Sequence, residues 1–141
     1  MQHIFAKSAL LPNGWATNVR LSIEGGKIAK VEANAIKQKT DTDLGEQLLL
    51  PAISNVHSHS FQRAMAGLSE RRGASTDRFW TWRDVMYRFL DQLSVDNIHA
   101  IAAFTFMEMA EAGFAAVGEF HYVHHQTGGT PYDNVAETSL Q

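Results

Sequence analysis

An apolar run, Leu48-Leu49-Leu50, leads through Pro51-Ala52-Ile53-Ser54-Asn55-Val56 into His57-Ser58-His59. The stretch from Gln47 to Val56 reads as a buried strand, and it runs directly into two histidines spaced by one residue. Side chains alternate faces along a strand, so residues two apart point the same way. His57 and His59 can therefore reach one metal ion from a rigid element. Imidazole is a common zinc ligand, and a catalytic zinc usually takes three protein ligands and leaves a fourth position to water. In a chain with 7 histidines the bare spacing is weak evidence; its place at a strand end strengthens it. The sequence holds no cysteine, so any such ion must be held by histidine and carboxylate.

The flanking patterns constrain the fold further. Ile4-Phe5-Ala6 leads to Leu10-Leu11, and Pro12-Asn13-Gly14 is a turn signal. Val19 to Ile23 and Lys27 to Val31 alternate apolar and polar residues, as half-buried strands do, with Gly25-Gly26 as a tight hairpin turn between them. Residues 34–47 are polar and read as loop. Beyond the histidines the period becomes helical. Thr76 or Asp77 can cap a helix running through Phe79, Trp82, Val85, Met86, Phe89, Leu90 and Leu93. Ser94 is the next cap. Ile98, Ile101, Ala102, Thr105, Met109 and Ala112 then form one face of a second helix, which Gly113 stops. Phe114 to Phe120 is a second buried strand candidate. A strand–helix–strand order implies parallel strands joined by a crossover. The fold class expected is therefore α/β. Gln126 to Asn134 reads as loop, and Asn134 as the cap of a helical turn with Glu137 three residues on.

Composition excludes several function classes. The chain has 141 residues, 45% hydrophobic and 19% charged, with a net charge of −3, as a globular protein does. No basic stripe argues for nucleic acid. No apolar run approaches the ~20 residues that span a bilayer. Met1 to Leu11 lacks the basic start and long apolar stretch of a secretory signal, so a cytoplasmic protein is expected.

Several polar residues sit where a site would form. Gln62 lies three residues beyond His59, Arg83 stands beside Trp80 and Trp82, and Glu119, His121 and Tyr122 end the second strand. Taken singly, Gln62 reads as a loop glutamine and Arg83 as a helix-surface arginine. A guanidinium can fork onto a carboxylate and stacks on aromatic rings. His124 and His125 are adjacent on an extended segment and point opposite ways, so they do not chelate together.

Leu50-Pro51-Ala52-Ile53-Ser54-Asn55-Val56-His57-Ser58-His59 resembles the first barrel strand of the amidohydrolase superfamily, with Ala52 where glycine is usual. Ser60 to Gly67, Phe79-Trp80-Thr81-Trp82-Arg83 and Gly118-Glu119-Phe120-His121-Tyr122-Val123-His124-His125 resemble the formimidoylglutamate deiminase family within it, from roughly Ile4 onward. The resemblance implies a (β/α)₈ barrel and a small β-sandwich. Residues 1–47 would build part of the sandwich and residues 48–141 the first βα units. A whole barrel takes about 250 residues, so the chain would be an N-terminal piece. It further implies one Zn²⁺ per intact chain on His57 and His59, with a later histidine and aspartate. The substrate, N-formimidoyl-L-glutamate, would be held by Gln62, Arg83 and Tyr122. Proton-transfer residues are expected beyond Gln141, so these residues alone should be inactive; the intact protein is expected to be a homodimer. The alternatives are another deaminase of the superfamily acting on a ring amidine or an N-acyl amino acid, a non-catalytic remnant, and a self-contained metal-binding module.

Overall fold

The computed structural model of the chain describes residues 1–70 and 79–140. It divides into two compact units, Met1–Ala52 and Ile53–Gln141.

The first unit is a five-stranded mixed sheet. β1 (Gln2–Leu11) and β2 (Gly14–Glu24) form an antiparallel hairpin in which Leu11 faces Gly14 and Gln2 faces Ile23. β3 (Lys27–Glu32) returns antiparallel to β2 through the Gly25-Gly26 turn, with a register shift at Ser22 and Ile23. Both hairpins are where the turn residues and the alternation place them. Two short strands, β4 (Thr42–Asp43) and β5 (Leu48–Leu49), run parallel to β1. Ala9, Val19 and Leu21 make the buried centre of this sheet, with Ile4, Leu11, Ala16 and Leu49 against them. Residues 34–47 are less loose than their polarity suggests. Arg20 reaches out of β2 to grip Asp41 with Nε and Nη2 at 2.9–3.0 Å, and the Asp41 side chain is fully covered.

The second unit places two helices between two parallel strands, an α/β arrangement. β6 (Ile53–Ser58) pairs with β7 (Phe114–Glu119). Between them lie a 3₁₀ turn (Ser60–Met65), α1 (Phe79–Leu90) and α2 (Val95–Glu111). The expected helix cap at Thr76 or Asp77 lies outside the described residues. Ser94 does cap α2: its hydroxyl accepts from the Asn97 amide while the Asn97 side chain accepts from the Ser94 amide, a reciprocal capping box. Gly113, at φ +91°, ends the helix in the left-handed conformation that glycine adopts without strain. The core joins Phe61 and Met65 of the turn, Met86 of α1, Leu93, Ile98 of α2 and Val123. It sits at the end of the sheet where both strands finish. Residues immediately after β6 and β7 are thereby held on a packed floor. Trp82 and Phe89 pack against this core, whereas Phe79 and Trp80 stay exposed.

Three expectations need correction. The apolar stretch from Gln47 to Val56 is two strands: β5 belongs to the first sheet, Pro51 interrupts the ladder because it has no N–H, and β6 starts anew at Ile53. Nor are β6 and β7 buried. Ile53 and Val56 are 59% and 85% exposed, because among the described residues little packs over the faces of this two-stranded sheet. The helical turn expected after Asn134 is a short 3₁₀ turn, Glu137–Ser139, with the Asn134 side chain accepting from the Ala136 amide. Among the described residues no helix is long and apolar enough to cross a membrane.

Candidate metal centre

His57 is the fifth residue of β6 and His59 follows its last. The Asn55 side chain accepts a hydrogen bond from the His57 amide at 3.1 Å, a local turn that ends the regular strand. The two imidazoles converge, with Nε2 to Nε2 at 3.1 Å. The Nδ1 of His59 lies 2.8 Å from the carbonyl oxygen of Phe120, just past β7. A carbonyl only accepts, so Nδ1 carries the proton and Nε2 of His59 keeps its lone pair. Two nitrogens bound to one tetrahedral zinc at about 2.0–2.1 Å each lie roughly 3.3 Å apart. The observed pair matches that spacing, and the carbonyl partner on the far nitrogen is the usual support of a metal-binding histidine. The donor set therefore fits a metal ion. Among the described residues no group of three histidine or acidic side chains completes a site.

The neighbouring candidates form a continuous cluster with the histidines. The Tyr122 ring meets His59 edge-on, centroids 4.8 Å apart. Gln62 donates from Nε2 to the Tyr122 hydroxyl at 2.7 Å. The Tyr122 O–H then points to the Met86 sulfur at 3.6 Å, a weak acceptor that a better ligand can replace. Burial pushes the Tyr122 phenol above its usual range, so it stays a neutral donor at neutral pH. Arg83 is on α1, one turn before Met86 and Tyr87. Its guanidinium lies over the rings of Trp80 and Tyr87, at 5.5 and 5.1 Å, and donates to the Tyr87 hydroxyl at 2.9 Å. The structure thus gathers His57, His59, Gln62 and Tyr122, and holds Arg83 in its own aromatic bracket on the helix that contacts them through Met86.

Gly118 and Arg63 had no role in the sequence reading, and Glu119, His121 and His124 find theirs here. Gly118 lets the strands close, since a Cβ there would sit 3.2 Å from the Val56 carbonyl oxygen. Glu119 accepts the Ser60 amide at 2.6 Å through Oε1, while Oε2 is buried with no hydrogen-bond partner among the described residues. Burial pushes this carboxyl up, but hydrogen bonds from Ser58 and Ser60 outweigh it and hold the group below the usual range. Arg63 pairs with Glu108 of α2 through two bonds at 2.7 and 2.9 Å. His121 faces elsewhere: its Nε2 meets the Thr138 hydroxyl at 2.7 Å, and burial lowers its pKa. His124 meets the Val135 carbonyl oxygen at 2.7 Å, in keeping with a loop role. A cavity of about 660 Å³ lies between α2 and β7, lined by His99, Phe106, Glu119, His121 and Thr138 among others; neither His57 nor His59 lines it.

Comparison with known proteins places the chain among similar sequences and folds. Residues 1–43 match the family model for the N-terminal domain of formimidoylglutamate deiminase HutF. The whole chain is 48% identical to a formimidoylglutamate deiminase of Pseudomonas aeruginosa, over 31% of that protein's length. The crystal structure of an amidohydrolase from Brucella melitensis superposes on 99% of the chain with TM-score 0.88 and 45% identity, and again the match takes in 31% of that chain. A guanine deaminase from C. acetobutylicum, at 15% identity and TM-score 0.63 over 82% of the chain, shares the fold. The chain therefore spans about a third of the length of the relatives it matches, and its resemblance to formimidoylglutamate deiminases and other amidohydrolases holds.

Proposed function

We propose that this chain is the N-terminal part of a metal-dependent amidohydrolase that deiminates N-formimidoyl-L-glutamate to N-formyl-L-glutamate and ammonia. The observation that carries the reading is the convergence of the His57 and His59 Nε2 atoms at 3.1 Å, with the far nitrogen of His59 tied to the Phe120 carbonyl. The parallel β6–β7 pair is read as the first two strands of a (β/α)₈ barrel, whose functional groups lie at the C-terminal ends of strands. Residues 48–141 would be its opening βα units, and residues 1–47 part of a small β-sandwich.

His57 and His59 would hold a Zn²⁺ ion, together with a histidine and an aspartate from further along the complete protein. When bound, the ion supplies Lewis acidity and lowers the pKa of a water to about 7. In the overall reaction, water adds at the formimino carbon. The bond to the terminal nitrogen then breaks, and that nitrogen leaves as ammonia carrying both of the water's protons, while the water oxygen stays as the formyl oxygen. Within this chain the work is binding and orientation. Tyr122 and Gln62 stand beside His59 and offer an O–H and an amide to the polar part of a substrate. Among the described residues the Arg83 guanidinium gives one N–H to Tyr87, and with five N–H groups in all it can fork onto a carboxylate. A substrate with two carboxylates suits that placement. Proton transfer falls to residues outside this chain, so the 141 residues alone should not turn over. The complete protein is read as a cytoplasmic homodimer that acts on this small molecule, and neither nucleic acid nor membrane enters the reading.

The test is ammonia release by the complete protein from N-formimidoyl-L-glutamate, set against guanine and an N-acyl amino acid. Turnover of the first alone, lost on chelation and restored by zinc, supports the reading. Preference for either competitor overturns the substrate. Arg83→Ala should raise KM for N-formimidoyl-L-glutamate at least tenfold, as loss of a charge-assisted bond to a carboxylate does. An unchanged KM removes Arg83 from the binding site.

A further inference from the structure

The last residue of β7 holds the turn that carries the metal-binding histidine. His59 is the residue before the 3₁₀ turn Ser60–Met65, and its side chain makes no capping bond there. The first amide of that turn, Ser60, is 2% exposed. A buried N–H needs an acceptor, and helical turns supply none to their first amides. Glu119 supplies it from across the sheet, at 2.6 Å. The adjacent residue, Phe120, donates its own amide to the Ser58 carbonyl at 2.9 Å and accepts from the His59 ring at 2.8 Å. Residues 119 and 120 thus grip 58, 59 and 60 at three points. The Phe120 carbonyl orients the imidazole, and the Glu119 side chain sets the peptide plane from which that imidazole hangs. On the other side of the same residue, the Thr105 hydroxyl of α2, which donates to the Ile101 carbonyl at 2.8 Å, lies 3.4 Å from the Ser60 carbonyl.

We propose that Glu119 is a positioning residue for the metal centre: through the Ser60 amide it keeps the His59 Nε2 atom aimed at the point on which His57 converges. The inference rests on the metal site proposed above. What matters is the reach of the carboxylate, because the bond ends at a backbone amide and its loss would let the 59–60 peptide rotate. A metal-ligand pair tolerates little such movement, and removing an outer partner of a ligating histidine typically costs 10–100-fold in metal affinity.

Two conservative variants of the complete protein separate reach from charge. Glu119→Asp keeps the charge and withdraws the acceptor by one methylene. Glu119→Gln keeps an acceptor oxygen at full reach and drops the charge. Zinc affinity is measured by competition with a chromophoric chelator, and site geometry by the visible absorption spectrum of the Co²⁺-loaded protein. Thermal melts of the metal-free proteins check folding. The expected result is a 10–100-fold weaker zinc affinity and an altered Co²⁺ spectrum for Glu119→Asp, with Glu119→Gln close to wild type. Wild-type affinity in Glu119→Asp, or a larger loss in Glu119→Gln than in Glu119→Asp, overturns the proposal. Failure of the metal-site reading looks different: wild-type protein would bind no zinc, or His59→Ala would bind it unchanged.

Discussion

In the first unit the long strands pair with partners reached through tight turns, at Pro12-Asn13 and Gly25-Gly26. In the second, the strands that carry the candidate site are separated in sequence by a 3₁₀ turn and both helices. The first sheet has a buried centre of its own in Ala9, Val19 and Leu21. The second sheet is largely exposed, and its unit is held together by helix and turn residues gathered at one end. The contrast separates two jobs. Local pairing makes a sheet that carries no candidate site residue. Non-local pairing brings Phe120 to His59, Glu119 to Ser60 and Tyr122 to Gln62.

If the second unit depends on that end-on core, its centre should be the most sensitive point. Phe61, in the 3₁₀ turn, is fully buried and meets the Tyr122 ring edge-on at 5.4 Å. Phe61→Ala should cost about 3–5 kcal/mol, read from denaturant unfolding of the complete protein, with amide protection lost first in α1 and α2. A cost below about 1 kcal/mol would mean that the core lies elsewhere. A smaller effect is expected at the α2 cap. Ser94→Ala should cost about 1 kcal/mol, while Ser94→Asp, which still accepts from the Asn97 amide, should cost much less. Equal losses in the two variants would deny the cap its role.

The smallest effect near neutral pH belongs to the first unit. The Arg20 guanidinium bonded to Asp41 holds that carboxyl below its ordinary value, against the opposing effect of burial. The folded pKa is lower than the unfolded one. The stabilisation is therefore fully present above the ordinary Asp pKa of about 3.9 and is lost as pH falls through the lowered value. Melting temperature followed against pH should show this acid loss in wild type and a flatter profile in Asp41→Asn. Superimposable profiles would show that the pair adds nothing.

The same contrast explains what could be read from the chain. The Val19–Ile23 and Lys27–Val31 strands, the Gly25-Gly26 turn, the Ser94 cap and the Gly113 stop are all visible in residues a few positions apart, and all are present. The parallel β6–β7 pairing followed from element order alone. What escaped was non-local or depended on an interruption. Pro51 divides an apolar run that hydropathy reads as one strand. Asp41 sits in a polar stretch, and nothing near it in sequence announces Arg20. Glu119 looked like a polar strand end, because its partner lies 59 positions away. The pair at His57 and His59 was legible because both members lie on one strand end; the support for their orientation comes from the opposite strand.

The most direct measurement is the metal content of the complete protein, by atomic emission, for wild type and His57→Ala/His59→Ala purified side by side. The account predicts about one zinc per wild-type chain and none in the double variant, with ammonia release from N-formimidoyl-L-glutamate lost in parallel. Full zinc occupancy in the double variant would contradict it, and so would a metal-free wild-type protein that still deiminates the substrate.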